Sequence, residues 1–117
     1  TEEVQDARVA SVLEIAERYH ATVVLKGAHS LITSGGKVYE NQSGNPGMSS
    51  AGMGDALAGM IAAFLGQGMS AEQALLLGVH LHGAAGDMLA EQQASLGMSA
   101  TEVTEWARWL LNQWATR

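Results

Sequence analysis

Gly44-Asn45-Pro46-Gly47-Met48-Ser49-Ser50-Ala51-Gly52-Met53-Gly54-Asp55 runs directly into the apolar pattern Ala56-Leu57-Ala58-Gly59-Met60-Ile61-Ala62-Ala63-Phe64-Leu65. A glycine-rich loop thus opens a helix whose mouth carries a carboxylate. A helix N-terminus presents N–H groups without intrahelical partners and the positive end of the macrodipole. It can therefore cradle phosphate oxygens, or negative charge that develops during a reaction. Asp55 sits where chemistry on such an anion could happen.

Downstream of the loop, helices dominate. The one opened at Asp55 runs to about Leu65 and is closed by Gly66 and Gly68. Ser70 with Gln73, and Ser99 with Glu102, have the spacing of capping boxes. They predict a second helix to about Gln93 and a third carrying Val103, Trp106, Leu110 and Trp114. Upstream, Val4, Ala7, Val9, Val12, Leu13, Ile15, Ala16 and Tyr19 recur at mostly helical spacing, so residues 2–20 read as an amphipathic helix. Thr22-Val23-Val24-Leu25 then reads as a strand buried on both faces and ending at Lys26. Leu31-Ile32-Thr33 and Lys37-Val38-Tyr39-Glu40 flank Ser34-Gly35-Gly36, whose glycines suit a hairpin turn. This order predicts α/β layering. Three strands are few for so many apolar helices, so the expected fold is the C-terminal portion of a larger α/β domain.

Composition narrows the function classes. At 117 residues and 47% hydrophobic, the chain fits one ordered domain. A net charge of −6, with six scattered Lys and Arg, argues against a nucleic-acid surface but leaves a small phosphate ligand open. No uninterrupted apolar run of about 18 residues occurs and Thr1-Glu2-Glu3-Val4 is not a basic leader, so neither a membrane partner nor a signal peptide is expected. The expected compartment is cytoplasmic, and the absence of cysteine fits a reducing one.

Neither common nucleotide motif fits the loop. A P-loop needs Lys directly after its last glycine, where Met53 follows Gly52; a dinucleotide fingerprint needs a third glycine where Leu57 stands. Ala51-Gly52-Met53-Gly54-Asp55 instead resembles the glycine-x-glycine-aspartate signature of ribokinase-like enzymes. A wider match follows in order and approximate spacing: Val24-Leu25-Lys26-Gly27, Gly44-Asn45-Pro46-Gly47-Met48, Gly52-Met53-Gly54-Asp55, Gly78-Val79-His80-Leu81-His82-Gly83 and Ala85-Gly86-Asp87. These resemble the motifs of ADP-dependent NAD(P)H-hydrate dehydratases over nearly the whole chain.

The resemblance implies a ribokinase-like layered sheet flanked by helices. It places residues 1–117 in the C-terminal part of that family's dehydratase domain. The implied activity uses ADP, or ATP in some members, with Mg2+ to dehydrate the S form of hydrated NADH or NADPH and so repair the cofactor. The resemblance further implies that Lys26, Gly27, Ala28, His29 and Ser30, with Asn45, Pro46, Gly47, Met48, Ser49, Ser50, Ala51, Gly52, Met53 and Gly54, contact ADP. Asp55 is implied to contact the hydrated nicotinamide and act as base. Some members are fused to an epimerase domain, and a homo-oligomer is expected.

Elementary chemistry agrees with part of this. Hydroxide is a poor leaving group, whereas phosphate on the same oxygen is a much better one, so a kinase-like site can serve a dehydratase. Asp55 would accept the hydroxyl proton while the Gly52–Gly54 amides hold developing charge. Two alternatives stay open: a sugar or vitamin kinase sharing the Asp55 base, and a nucleotide-binding module without turnover.

The remaining polar and aromatic residues read as structural. His80 and His82 point about 200° apart on a helix, so packed, hydrogen-bonded roles are favoured over a shared metal. Asp87, four residues before Glu91, reads as a solvated helix face. Trp106, Trp109 and Leu110 share a face, which favours core or subunit packing. The six methionines read mostly as core filler.

Overall fold

The computed structural model describes residues 2–19, 21–26, 30–48, 52–93 and 97–115. Helix α1 (Glu2–Tyr19) leads into strands β1 (Val23–Leu25), β2 (Leu31–Ser34) and β3 (Lys37–Glu40). A 3-10 turn (Pro46–Met48) and helices α2 (Met53–Gly66), α3 (Ala71–Gln92) and α4 (Ala100–Ala115) follow. The strands form one antiparallel sheet in the order β1-β2-β3.

The register explains the layering. Val24 pairs with Ile32 and Ile32 with Tyr39, so these three form a row on one face of the sheet. That row packs with Leu57 of α2 and with Leu75 and Val79 of α3. Alternation sends Leu31 and Thr33 to the opposite face, where α1 contacts β1 and β2 and buries Val12. The buried Thr33 hydroxyl is satisfied by donating to the Lys37 carbonyl at 2.9 Å. Tyr39 ties β3 to the first turn of α3 by donating to Glu72 Oε1 at 2.8 Å, a bond that raises the phenol's pKa above its ordinary value. A second apolar layer joins α2, α3 and α4 through Phe64, Leu81, Leu89, Val103 and Leu110.

The hairpin forms where the glycine pair predicts it. Gly35 and Gly36 have φ of 59° and 80°, the left-handed values a two-residue turn between Ser34 and Lys37 requires. Both capping boxes are also present: Ser70 and Gln73 cap each other reciprocally, as do Ser99 and Glu102. All six methionines lie in or against the core.

Three expectations are corrected. β1 is half-buried throughout rather than buried on both faces, because among the described strands it has β2 as its sole neighbour. α2 begins at Met53 rather than Asp55, since Gly52, not Asp55, turns the chain into the helix. Of the core or subunit packing expected for Trp109, the core is ruled out, since it is 48% exposed and meets Trp106 edge-on, with ring centroids 5.6 Å apart. Along α1, Ile15 and Tyr19 also stay exposed, so its apolar stripe is only partly covered. His20, with which that helix was expected to end, lies outside the described residues.

Candidate active site

The sheet brings the predicted site segments to one end of the molecule. Lys26 follows the end of β1, Ser30 precedes β2 and Asn41 follows β3, and the pairing places these three points together. The Asn41 amide donates to the Ser30 carbonyl at 2.8 Å. From Asn41 the chain enters the glycine-rich loop and returns as α2.

At the mouth of α2, Gly52 is the N-cap residue with φ of 84°, a left-handed conformation that favours glycine. It offers no side-chain cap. The first-turn amides of Met53, Gly54 and Asp55 thus receive no side-chain acceptor from their own cap and can accept an anion. Asp55 lies in this first turn and is exposed. Lys26 reaches the same point: a Cβ added at Gly54 would lie 2.7 Å from Lys26 Nζ. The missing side chain at Gly54 is what lets the ammonium approach the helix mouth. A cation, a row of N–H groups and a carboxylate therefore meet at one helix end.

His82 of α3 lies within electrostatic reach of Lys26. It is 8% exposed, and its Nε2 has no hydrogen-bond partner among the described residues. Burial, and secondarily the charge of Lys26, hold its pKa below the ordinary value, so the ring stays neutral near pH 7. The hydrogen-bonded role expected for His82 is thus corrected at Nε2. His80 is corrected too, being exposed and stacked on Trp114 with centroids 5.7 Å apart.

The loop ahead of α2 is seated on α3. Ser43 Oγ donates to the His80 carbonyl at 3.0 Å, and Met48 lies against Gly86. Asp87 is not the solvated carboxylate its spacing to Glu91 suggested. It accepts from the Gly44 amide and from Asn45 Nδ2, both at 2.9 Å, while Asn45 Oδ1 accepts from the Gly47 amide at 3.0 Å. Sequence reasoning missed this anchor. The one available signal was the pair of glycines before it, Gly83 and Gly86, which weaken a helix interior unless something packs there.

Among the predicted site residues, Lys26, Ser30, Asn45, Pro46, Gly47, Met48, Gly52, Met53, Gly54 and Asp55 lie in the described structure. Met53 is buried in the core, so its backbone rather than its side chain faces the site. Gly27, Ala28, His29, Ser49, Ser50 and Ala51 lie outside the described residues. Among the described residues no three His, Asp or Glu side chains cluster as a metal site, and no helix is long and apolar enough to cross a membrane.

Comparison with known proteins gives this arrangement a family. The chain is 42% identical over 113 residues to the ADP-dependent (S)-NAD(P)H-hydrate dehydratase of Neisseria meningitidis, covering 95% of the chain and 38% of that protein. It is 50% identical over 100 residues to the bifunctional NAD(P)H-hydrate repair enzyme of Thermofilum pendens, covering 85% of the chain and 19% of that protein. The chain thus spans well under half the length of these relatives. Its structure superposes on that of the ADP/ATP-dependent NAD(P)H-hydrate dehydratase of Bacillus subtilis, co-crystallised with ATP and Mg2+. The TM-score is 0.87 at 27% identity, over 96% of this chain and 41% of that one. A ribokinase-like superfamily protein of Enterococcus faecalis aligns with a TM-score of 0.75 at 30% identity, over 88% of this chain and 36% of that one, which gives the fold as ribokinase-like α/β. With the helix mouth, lysine and aspartate arranged as described, and a family profile matching residues 1–108, the chain belongs to the NAD(P)H-hydrate dehydratase family.

Proposed function

We propose that the chain forms the C-terminal part of a dehydratase domain. The complete protein would use ADP or ATP to dehydrate the S form of hydrated NADH or NADPH. The observation that carries this reading is the approach of Lys26 Nζ to Gly54 in the first turn of α2, the turn that also carries Asp55. Lys26 and the amides of Gly52, Met53 and Gly54 would hold the nucleotide's phosphates, as their charge and geometry suit. Asn45, Pro46, Gly47 and Met48 would line its approach, with Gly27, Ala28, His29, Ser30, Ser49, Ser50 and Ala51 completing the binding segment.

The bound nucleotide would supply a phosphoryl group that turns the ring hydroxyl into a better leaving group. The chain's own part is then clear. Asp55, at the helix mouth, accepts the proton of that hydroxyl, and the α2 amides stabilise negative charge on the neighbouring oxygens. Magnesium would be held mainly by the nucleotide's own phosphates together with one or two carboxylates, and Asp55 is the carboxylate in the first turn of α2. The bifunctional relatives support a second activity joined to the dehydratase in longer members, which the family resemblance assigns to an epimerase.

The direct test is to incubate the complete protein with hydrated NADH, ADP and magnesium and to follow the return of NADH absorbance. Recovery is expected. No recovery from a folded complete protein would refute the reading.

A further inference from the structure

We propose that Asp87 is a positioning residue that holds the nucleotide loop in its binding shape through Asn45. The inference rests on the dehydratase reading of that loop and adds a residue outside its predicted ADP contacts. Asp87 projects from α3, more than forty residues along the chain from the loop, yet both its oxygens are engaged there. One accepts from the Gly44 amide and the other from Asn45 Nδ2.

The second bond carries information. An amide side chain has a donor end and an acceptor end. With Nδ2 committed to Asp87, Oδ1 must point the other way, where it accepts from the Gly47 amide. A carboxylate on α3 thus sets the rotation of Asn45, and Asn45 sets the turn at Pro46–Met48. Two further contacts show that the loop is seated here. Ser43 Oγ bonds the His80 carbonyl at 3.0 Å, and Met48 fills the space over Gly86. Asp87 also brings negative charge toward a segment meant for polyphosphate. That arrangement suits a carboxylate whose charge is absorbed by loop donors better than one that meets the ligand.

The polarity of the chain of bonds supplies the test. In the complete protein, Asp87→Asn replaces one acceptor by a donor, so either the Gly44 or the Asn45 bond is lost. Asn45→Asp sets two carboxylates against each other. The double variant carrying both changes restores all three bonds with the same net charge. The amide at position 87 accepts from Gly44 and donates to the carboxylate at position 45, which still accepts from Gly47.

Each single change is expected to raise KM for ADP about tenfold, with a smaller effect on kcat, and to speed amide exchange at Gly44 and Gly47. The double variant is expected to recover most of both losses. Single changes that leave KM and exchange alone, or a double variant as impaired as the product of the singles, would overturn the proposal. A folded wild-type protein that turned over no hydrated NADH would sink the dehydratase reading, while amide exchange would still decide whether Asp87 holds the loop.

Discussion

Asp55, in the first turn of α2, and His82, within electrostatic reach of Lys26, differ in exposure and chemistry. Asp55 is exposed in the first helical turn, and the proposed function has it take a proton from a substrate oxygen held by the neighbouring amides. A general base typically contributes about 10²–10⁴ in rate, so Asp55→Asn in the complete protein is expected to lower kcat by that factor while ADP still binds. Stopped-assay kinetics with calorimetric ADP titration would check this, and a loss of less than about tenfold would remove Asp55 from the base role. His82 is buried, with Nε2 unpaired among the described residues and its pKa depressed by burial first and the charge of Lys26 second. Above its unfolded-state pKa of about 6.5 the ring is neutral in both states and has no effect on stability. As pH falls through that value the unfolded chain takes up a proton before the folded one does, so stability declines. Thermal unfolding between pH 7.5 and 5 should therefore show a falling midpoint, and His82→Gln should flatten the fall.

At the scale of elements, α3 is the platform on which the loop is built, and its glycines differ in what they permit. A Cβ added at Gly86 would collide with Met48 from Cγ outward, so that side chain must leave its seat but the backbone need not move. At Gly83 the collision includes the Ser43 backbone, 2.8 Å from the added atom, and a backbone cannot yield without moving the loop. Gly83→Ala is thus expected to destabilise the complete protein by about 1–3 kcal/mol in denaturant unfolding. Gly86→Ala should cost less, since only a side chain has to repack and helix propensity offsets that by about 1 kcal/mol. Equal effects at the two positions would contradict this contrast. The same elements show what the sequence could convey. Gly35-Gly36 and the Ser70/Gln73 and Ser99/Glu102 pairs act within four residues, so the hairpin and the starts of α3 and α4 were legible. The role of Asp87 was not, because its partners lie 42 and 43 residues away and only the folded sheet brings them near. β1 was misjudged for a related reason. Val23-Val24-Leu25 has the composition of a fully covered strand, but coverage depends on which strands pair beside it. Gly52, Gly54 and Asp55 were legible as candidates through their glycine-aspartate pattern and Lys26 through the Val24–Gly27 motif, whereas the approach of Lys26 Nζ to Gly54 required the tertiary structure.

Across the whole molecule, the described residues place the proposed base and anion cradle at an open end rather than in an enclosed pocket. Asp55 is exposed, and Lys26 beside the helix mouth is exposed as well. Charges in contact with water interact weakly, and amide donors stabilise a developing anion best where water is excluded. The 117 residues also correspond to 38% of the Neisseria relative and 41% of the Bacillus structure, so most of those proteins' surfaces have no counterpart in this chain. Efficient turnover should therefore need walls that this segment does not itself provide. The expected outcome is that the 117-residue chain, assayed beside the complete protein at equal concentration, recovers NADH roughly a hundredfold more slowly or not at all. Its ADP binding should be weakened but measurable, because Lys26, the α2 amides and the Asp87-held loop are all within it. Comparable turnover by the two would show that the helix mouth alone encloses the reaction. Loss of ADP binding together with turnover, in a chain whose circular dichroism shows it folded, would place the principal nucleotide contacts elsewhere.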